Sequence, residues 1–387
     1  MHVLVVPRGL YNVPREPIQG IFESHQVLAL RAAGVQVGVL SGGVITTRHL
    51  GRRFPYSRRE LVDDVPVYRA YRRALLPARW EDPVRAADRT FRGLKPLLTQ
   101  YIADQGRPDV VHAHNLATGG LVARRIHADM GIPYVVTEHT GTYVADPSAA
   151  ARDAAVLAEA AAEARAVVAV GSGLASSLRD SLAGRSSAMI EVVPNVVESR
   201  LLSCQLRTHQ GVFTVVGLGN LIPSKNYPLL VQAFSRADLP EGSRLVVGGD
   251  GPEARRVADL ARTLGVGDRL HLAGHLDRDH VVRLLQTGDL FAHPSNSESF
   301  GVVLIEAMAV GLPVLATASY GPRDIVTPEV GRLTPIGDAQ AFADGLSEMY
   351  ARRDEFDPER LRATCRERFG SEAFASRMLE IYHEATA

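Results

Sequence analysis

The sequence predicts an α/β protein built from two doubly wound, Rossmann-like halves. Short apolar strand patterns alternate with helix-length stretches through most of the chain, the arrangement expected of parallel sheets covered by helices. The alternation lapses over 198–211 and then restarts. A length of 387 residues allows two domains of ordinary size, each with its own core.

HVLVVP (2–7) reads as the first strand, followed by a Pro- and Gly-rich loop that ends at Gly20. A helix from Phe22 to Ala33 follows, closed by Gly34 before the strand VQVGVL. The first loop therefore sits at the carboxyl end of its strand, where such folds bind ligands. Residues 45–80 break the regularity, with nine arginines against Glu60, Asp63 and Asp64, and with Tyr56, Tyr68, Tyr71 and Trp80 interleaved. They read either as solvated basic hairpin strands or as a patch for an anionic acceptor or a membrane face. Alternation resumes with a helix over 85–104, the strand DVVHAHN (109–115), a helix to Met130 and the strand PYVVTEH (133–139). An alanine-rich helix (149–165), the strand AVVAVGS (166–172), a helix and the strand IEVVPN (190–195) complete the first half.

The second half opens with the strand TVVGLGN (214–220), a helix over 226–237 and the strand SRLVVGG (243–249). A helix over 252–264, the strand RLHLAG (269–274), a helix over 278–287 and the strand DLFAHP (289–294) come next. Two further helices, one from near Asp338 and one from Ser371, close the chain. The expected domains are 1–204 and 205–370, with 371–387 packing back on the first, and ligand loops at strand ends imply a cleft between them.

Composition excludes several classes. The formal net charge is zero, which argues against a general nucleic-acid binder. Cys204 and Cys365 have neither metal nor disulfide-framework spacing, which suits a reducing cytosol. Met1–Val6 starts a strand rather than a signal peptide, and the longest apolar stretch is broken by Glu306 and Pro313. The expectation is a cytoplasmic protein, with peripheral contact at the inner membrane face through the basic 45–80 segment as an option. Of 43 basic residues only Lys95 and Lys225 are lysine. A lysine that persists in such a chain marks a place where the compact ammonium is needed.

The most informative stretch is AHPSNSESFGVVLIEAMAVGLPVLAT (292–317). A polar loop runs through Glu298, Ser299, Phe300 and Gly301 into an apolar helix whose one charge is Glu306, and a strand follows Gly311–Pro313. Unpaired N–H groups at the helix start form a phosphate site that Gly301 lets a ligand approach. A carboxylate inside an apolar helix needs a partner, and a ligand hydroxyl would serve. The spacing of the two glutamates proves little, since Glu359 and Glu367, and Glu372 and Glu380, stand equally far apart.

With YGPRDIV (320–326) and GRLTP (331–335) after it, this stretch resembles the donor-site signature of the retaining GT-B glycosyltransferases of family 4. Upstream, Gly20, TEH (137–139), VVPN (192–195), GLGNLIPSKN (217–226) and GGDGP (248–252) extend the likeness over most of the chain. The resemblance implies a hexosyltransferase that needs neither metal nor cofactor. It would move a hexose or N-acetylhexosamine from a UDP- or GDP-sugar to a hydroxyl of a glycan, a lipid-linked acceptor or a small natural product. Glu306 would hold the ribose; Glu298 and the backbone of Ser299, Phe300, Gly301 and Val302 would hold the sugar and diphosphate. Lys225 would neutralise the leaving diphosphate, Gly20 would let the first loop approach it, His139 would sit beside the sugar, and Leu276 would meet the base through its backbone. The chain has Asn220 where the family carries arginine, so a diphosphate cation would come from elsewhere, Arg8 or Arg323 being candidates. The family's Asn-Gly after the VVP strand is Asn195-Val196 here, a changed turn. His112 and His114 read equally as structural or as acceptor-side residues, Asp250 as a turn residue, and Arg323 and Asp324 as loop residues. A nucleotide-sugar epimerase shares the two-domain plan but needs a carboxylate trio near the sugar, and a non-catalytic nucleotide-sugar binder needs no acceptor site.

Overall fold

A computed structural model describes residues 1–12, 20–45, 57–73, 82–207 and 211–387. They form two compact units, Met1–Val196 with Ser371–Ala387, and Val197–Gly370.

The first unit is built on an eight-stranded sheet. Its strands are β1 His2–Val6, β2 Gln36–Ile45, β3 Ser57–Val62, β4 Val65–Arg73, β5 Val110–His114, β6 Tyr134–Glu138, β7 Ala166–Ala169 and β8 Met189–Val192. They lie in the order β3-β4-β2-β1-β5-β6-β7-β8. All pairings are parallel except β3 with β4. The central strands are buried along their whole length, as strands covered on both faces must be, and carry mostly apolar residues with His112, His114, Thr137 and Glu138 among them. Chain order reverses between β1 and β5, so the loops after these two strands open a crevice at the carboxyl edge.

The terminal helix Ser371–Thr386 completes this core by placing Phe374, Met378, Ile381 and Tyr382 against Val3, Val5 and Val110. Tyr382 is fully buried, and its hydroxyl bonds His112 Nδ1 at 2.7 Å while His112 Nε2 meets Thr137 Oγ1 at 2.7 Å. His112 is therefore a core residue with both ring nitrogens occupied.

The second unit carries β9 Thr214–Leu218, β10 Arg244–Gly248, β11 Leu270–Gly274, β12 Leu290–His293, β13 Val314–Thr317 and β14 Gly331–Thr334. The sheet is wholly parallel, ordered β11-β10-β9-β12-β13-β14, with its switch between β9 and β12.

The boundary differs from expectation. Residues 197–204 belong to the second unit, because Ser199–Ser203 is a short helix and Val197 N–H bonds Phe369 O at 2.8 Å. Five residues are too few to show a periodicity. A further helix, Pro358–Phe369, escaped the sequence because its buried face is only Leu361, Cys365 and Phe369 among charged residues.

Within 45–80, β3 and β4 form the expected hairpin, but Arg69 is buried, paired with Glu60 and bonded to Tyr11 O. Tyr68 and Tyr71 are buried too, and Arg58 and Arg59 are exposed. Arg48, Arg52, Arg53, Arg79, Tyr56 and Trp80 lie outside the described residues. No helix among the described residues is long and apolar enough to cross a membrane.

Removing the Tyr382 hydroxyl leaves a buried ring nitrogen unsatisfied. Tyr382→Phe should lower the urea-unfolding free energy by about 1–3 kcal/mol, and an unchanged midpoint would show that the bond contributes nothing.

Candidate active site

The loops after β9 and β12 are stitched together in the second unit. Asn296 N–H bonds Ser224 O at 2.8 Å, Ser295 Oγ donates to the same carbonyl at 3.1 Å, and Asn226 Nδ2 donates to Asn296 Oδ1 at 3.0 Å. Pro223–Lys225 is a single 3-10 turn that ends on left-handed Asn226. This fixes Lys225 beside Glu298, and Lys225 Nζ donates to Glu298 Oε1. His293, at the end of β12, places Nε2 2.8 Å from the same oxygen. Burial alone would raise the Glu298 carboxyl. The hydrogen bond and charge from His293, with those from Lys225, outweigh it and bring the pKa down to about 2. Glu298 is thus an ionised carboxylate held between two donors. An ammonium has three donors, so Lys225 can hold Glu298 and still face an anion.

Behind Glu298, Gly321 N–H bonds the Glu298 carbonyl at 3.0 Å, and a Cβ on Gly321 would overlap Phe300 O. The YGPRD segment therefore supports this loop from below. Arg323 and Asp324 lie in a short helix, Tyr320–Ile325, rather than in a loop, with Arg323 exposed.

Gly301 is left-handed at φ 98° and starts the helix Val302–Ala309, whose N-terminus no side chain caps. Leu304 N–H is taken by Gly301 O at 2.9 Å, while the N–H groups of Val302 and Val303, which no side chain caps, are of the kind that bind an anion. Phe300 turns its ring into the core, packed edge-on against Phe369 at 5.9 Å, so only its backbone faces the loop. Ser299 and Val302 are half-buried, and Asn220 is exposed at the end of the β9 loop. Leu276 packs its side chain over Gly248, where a Cβ would come within 2.7 Å.

Glu306 departs from the sequence reading in one respect: its partner is protein. Arg278 Nη2 donates to Glu306 Oε1 at 2.9 Å and to Glu198 as well. Burial raises the Glu306 carboxyl, and Arg278 opposes the rise. Neither Arg278 nor Glu198 was singled out from the sequence, since one opens an ordinary-looking helix and the other lies where the pattern lapses. His293 was missed too, although a histidine ending an apolar strand just before PSNSE was the signal to notice.

In the first unit the loops after β5 and β6 meet around Glu138. Its carboxylate accepts from Asn115 Nδ2 at 2.7 Å, Leu116 N at 2.8 Å, His139 N at 2.9 Å, Thr140 N at 2.8 Å and Thr140 Oγ1 at 2.6 Å. His139 keeps a partly exposed edge while protein surrounds most of the ring. Its Nε2 lies 3.0 Å from His114 Nδ1, and the two rings stack at 5.3 Å. Burial first, and then Arg8, lower the His139 pKa to about 3; burial and His139 do the same for His112, and His114 lies well below its ordinary value. Gly20 is left-handed at φ 78°, and a Cβ there would sit 3.0 Å from Leu10 O, which gives this glycine a steric reason within the first loop itself. Asp250 is a turn residue whose Oδ1 accepts from Gly251 N at 2.7 Å.

Comparison with known proteins agrees with this layout. The family described as "Glycosyl transferases group 1" matches residues 204–368, and "Glycosyl transferase 4-like domain" matches 24–196. A D-inositol 3-phosphate glycosyltransferase from Xylanimonas cellulosilytica is 33% identical over 313 residues, covering 73% of each chain. The chain belongs to glycosyltransferase family 4. An N-acetyl-alpha-D-glucosaminyl L-malate synthase from Bacillus anthracis is 31% identical over 206 residues, and the match spans 54% of that relative and 50% of this chain. The glycosyltransferase fold is GT-B. A sucrose-phosphate synthase from Thermosynechococcus elongatus superposes with a TM-score of 0.75 at 20% identity, over 99% of this chain and 98% of that one. The Anabaena protein HepE, solved in complex with UDP, gives 0.72 at 18% identity, over 98% and 99%.

Two measurements bear on the site. His293→Phe removes a donor from Glu298, so the carboxyl resonance in a 13C NMR titration should move up from about 2; an unmoved resonance would mean Lys225 suffices. His112, His114 and His139 are held neutral, with folded pKa values below the unfolded value of about 6.5. Their contribution is complete above that pH and is lost as pH falls from it towards about 3. The urea midpoint should therefore decline between pH 7 and pH 5, with up to about three extra protons taken up on unfolding, and a flat midpoint would contradict the neutral assignment.

Proposed function

We propose that this glycosyltransferase moves a sugar from a UDP- or GDP-linked donor to an acceptor hydroxyl, with retention at the anomeric carbon and without a metal. The observation that carries the reading is the ionised Glu298, held by His293 and Lys225 beside the uncapped helix start at Gly301. A diphosphate seated on that helix start meets the remaining Lys225 donors, and its sugar meets Glu298. Glu306, oriented by Arg278, takes the ribose hydroxyls, and the backbone near Leu276 takes the base. The family resemblance assigns the sugar to His139 and an approach of the first loop to Gly20. Relatives and neighbours whose names specify nucleotide ligands or glycosyl transfer support the donor class.

In the reaction, the bond from C1 to the diphosphate oxygen breaks and both electrons leave with the phosphate. The acceptor oxygen bonds C1 on the same face, and its proton passes to the departing phosphate oxygen. Charge builds on the phosphate and on an oxocarbenium-like C1, so preorganised N–H groups and Lys225 supply the main stabilisation. The basic 45–80 segment gives a cytoplasmic enzyme a contact for an anionic acceptor or a membrane face.

Incubation with UDP- and GDP-sugars should show nucleotide release, and proton NMR of the glycoside should show the donor's anomeric configuration. An inverted product would sink the retaining assignment, and binding without release would favour a non-catalytic binder. Lys225→Ala should raise the barrier by about 2–4 kcal/mol, the scale for losing one charge-stabilising donor; undiminished kcat would remove Lys225 from the mechanism.

A further inference from the structure

The first unit holds a cavity of about 500 Å³ at its switch point, over the carboxyl ends of β1, β2 and β5. One wall is the start of the helix Pro83–Gln105, from Pro83 to Leu94, and the opposite wall runs from Ala117 to Val122. The space exists because side chains are missing at two places. A Cβ on Gly9 would meet nothing within 4 Å, and one on Gly43 would meet only Gly9 Cα at 3.7 Å. Neither glycine has a positive φ, so the backbone does not require them.

The chemistry of the lining is one-sided. Among the described residues of the lining only Arg8, Thr90 and Thr118 carry a polar side-chain group, and Thr118 Oγ1 already bonds Asn115 O at 3.4 Å. A glycan needs a dense set of side-chain donors and acceptors, since each sugar hydroxyl stripped of water must be paired. The described residues of this lining do not supply them. Its volume and apolar character suit a drug-sized organic group held by few polar contacts. Arg8 is the one charged residue among the described residues of the lining. Its guanidinium comes no nearer than 4.0 Å to Glu23 and the side chain is 57% exposed, which leaves donors for an incoming anion. Arg8 also lies close enough to His139 and His114 for its charge to bear on both rings.

We propose that this cavity seats the acceptor, an aryl-sized apolar group that carries a carboxylate or phosphate for Arg8 and a hydroxyl to be glycosylated. The proposal rests on the transferase reading above and narrows its acceptor from glycans to apolar organic anions.

Two fluorescent probes of similar shape test it: the anionic 1-anilinonaphthalene-8-sulfonate and the neutral N-phenyl-1-naphthylamine. Wild-type protein should bind one anionic probe per chain. Gly43→Val and Ala86→Phe, which fill the space from opposite walls, should each weaken both probes by at least about tenfold. Arg8→Gln should weaken the anionic probe alone by about tenfold, and this comparison decides the matter should both filled variants fail to fold. Absent binding, binding undiminished by filling, or equal loss of both probes in Arg8→Gln overturns the proposal. With any donor that the wild-type enzyme hydrolyses, 4-hydroxybenzoate should be glycosylated at least about tenfold faster than maltose; the reverse order also overturns it. Failure to release nucleotide from every donor, with the probe results intact, would instead refute the transferase reading and leave the cavity's ligand class standing.

Discussion

The loops after β9 and β12 depend on one constraint: a nearly buried carboxylate at 298 must stay charged. Its side chain is 12% exposed, and burial alone would favour the protonated acid. His293 and Lys225 reverse that preference, and each can do so only if its own loop stands still. The bonds from Asn296 and Ser295 to Ser224 hold the two loops in register, and Gly321 braces the Glu298 backbone from the next segment. Separate stretches of sequence are thus fixed by the charge of one group. Lysine suits position 225 here because a compact ammonium can touch the carboxylate and still present donors elsewhere.

Glu138, Glu298 and Glu306 are three buried or nearly buried carboxylates, and each is stabilised by a different means. Glu138 is surrounded by neutral donors from the backbone and from Asn115 and Thr140, which lock the β5 and β6 loops together without any cation. Glu298 uses an imidazole and an ammonium. Glu306 shares one guanidinium with Glu198, and burial still raises its pKa. The order follows what each environment can supply. A carboxylate ending a strand finds free N–H groups in the next turn, whereas one in mid-helix finds none, because the helix has already used them. Glu306 must therefore take its partner from another element, and the first residue of the helix Arg278–Gln286 is within reach.

Much of this was legible in the sequence. The strands β1, β2, β5 to β7 and β9 to β13 follow from short apolar runs, whereas β14 (Gly331–Thr334) does not read as a strand, and Gly301 reads as a close-approach glycine without announcing its left-handed φ. The scarcity of lysine pointed to Lys225, and the need of Glu306 for a partner was evident from its neighbours. What could not be read was which group answers that need, since Arg278 stands 28 residues away and Glu198 lies 80 residues before Arg278. Pairings at such separations leave no periodicity. The same limit hid the role of His112, whose bond to Tyr382 joins residues 270 positions apart. The boundary near 197 was obscured for a local reason, a helix of a single turn and a half flanked by polar residues.

The histidines of the first unit constrain the chemistry further. Each of His112, His114 and His139 is pushed towards its neutral form, first by burial and then by cationic or imidazole neighbours. A ring with a pKa of about 3 carries almost no proton to donate near neutral pH, so His139 is unsuited to serve as a general acid. It can still accept or donate a hydrogen bond, as its Nε2 does at 3.0 Å from His114 Nδ1. In the role proposed for it, a neutral ring would add no positive charge near a carbon that becomes cationic in the transition state. A protonated one would oppose the oxocarbenium character on which glycosyl transfer depends. Burial of the three rings and the cation at Arg8 therefore act in one direction, keeping positive charge off the ring proposed to contact the sugar.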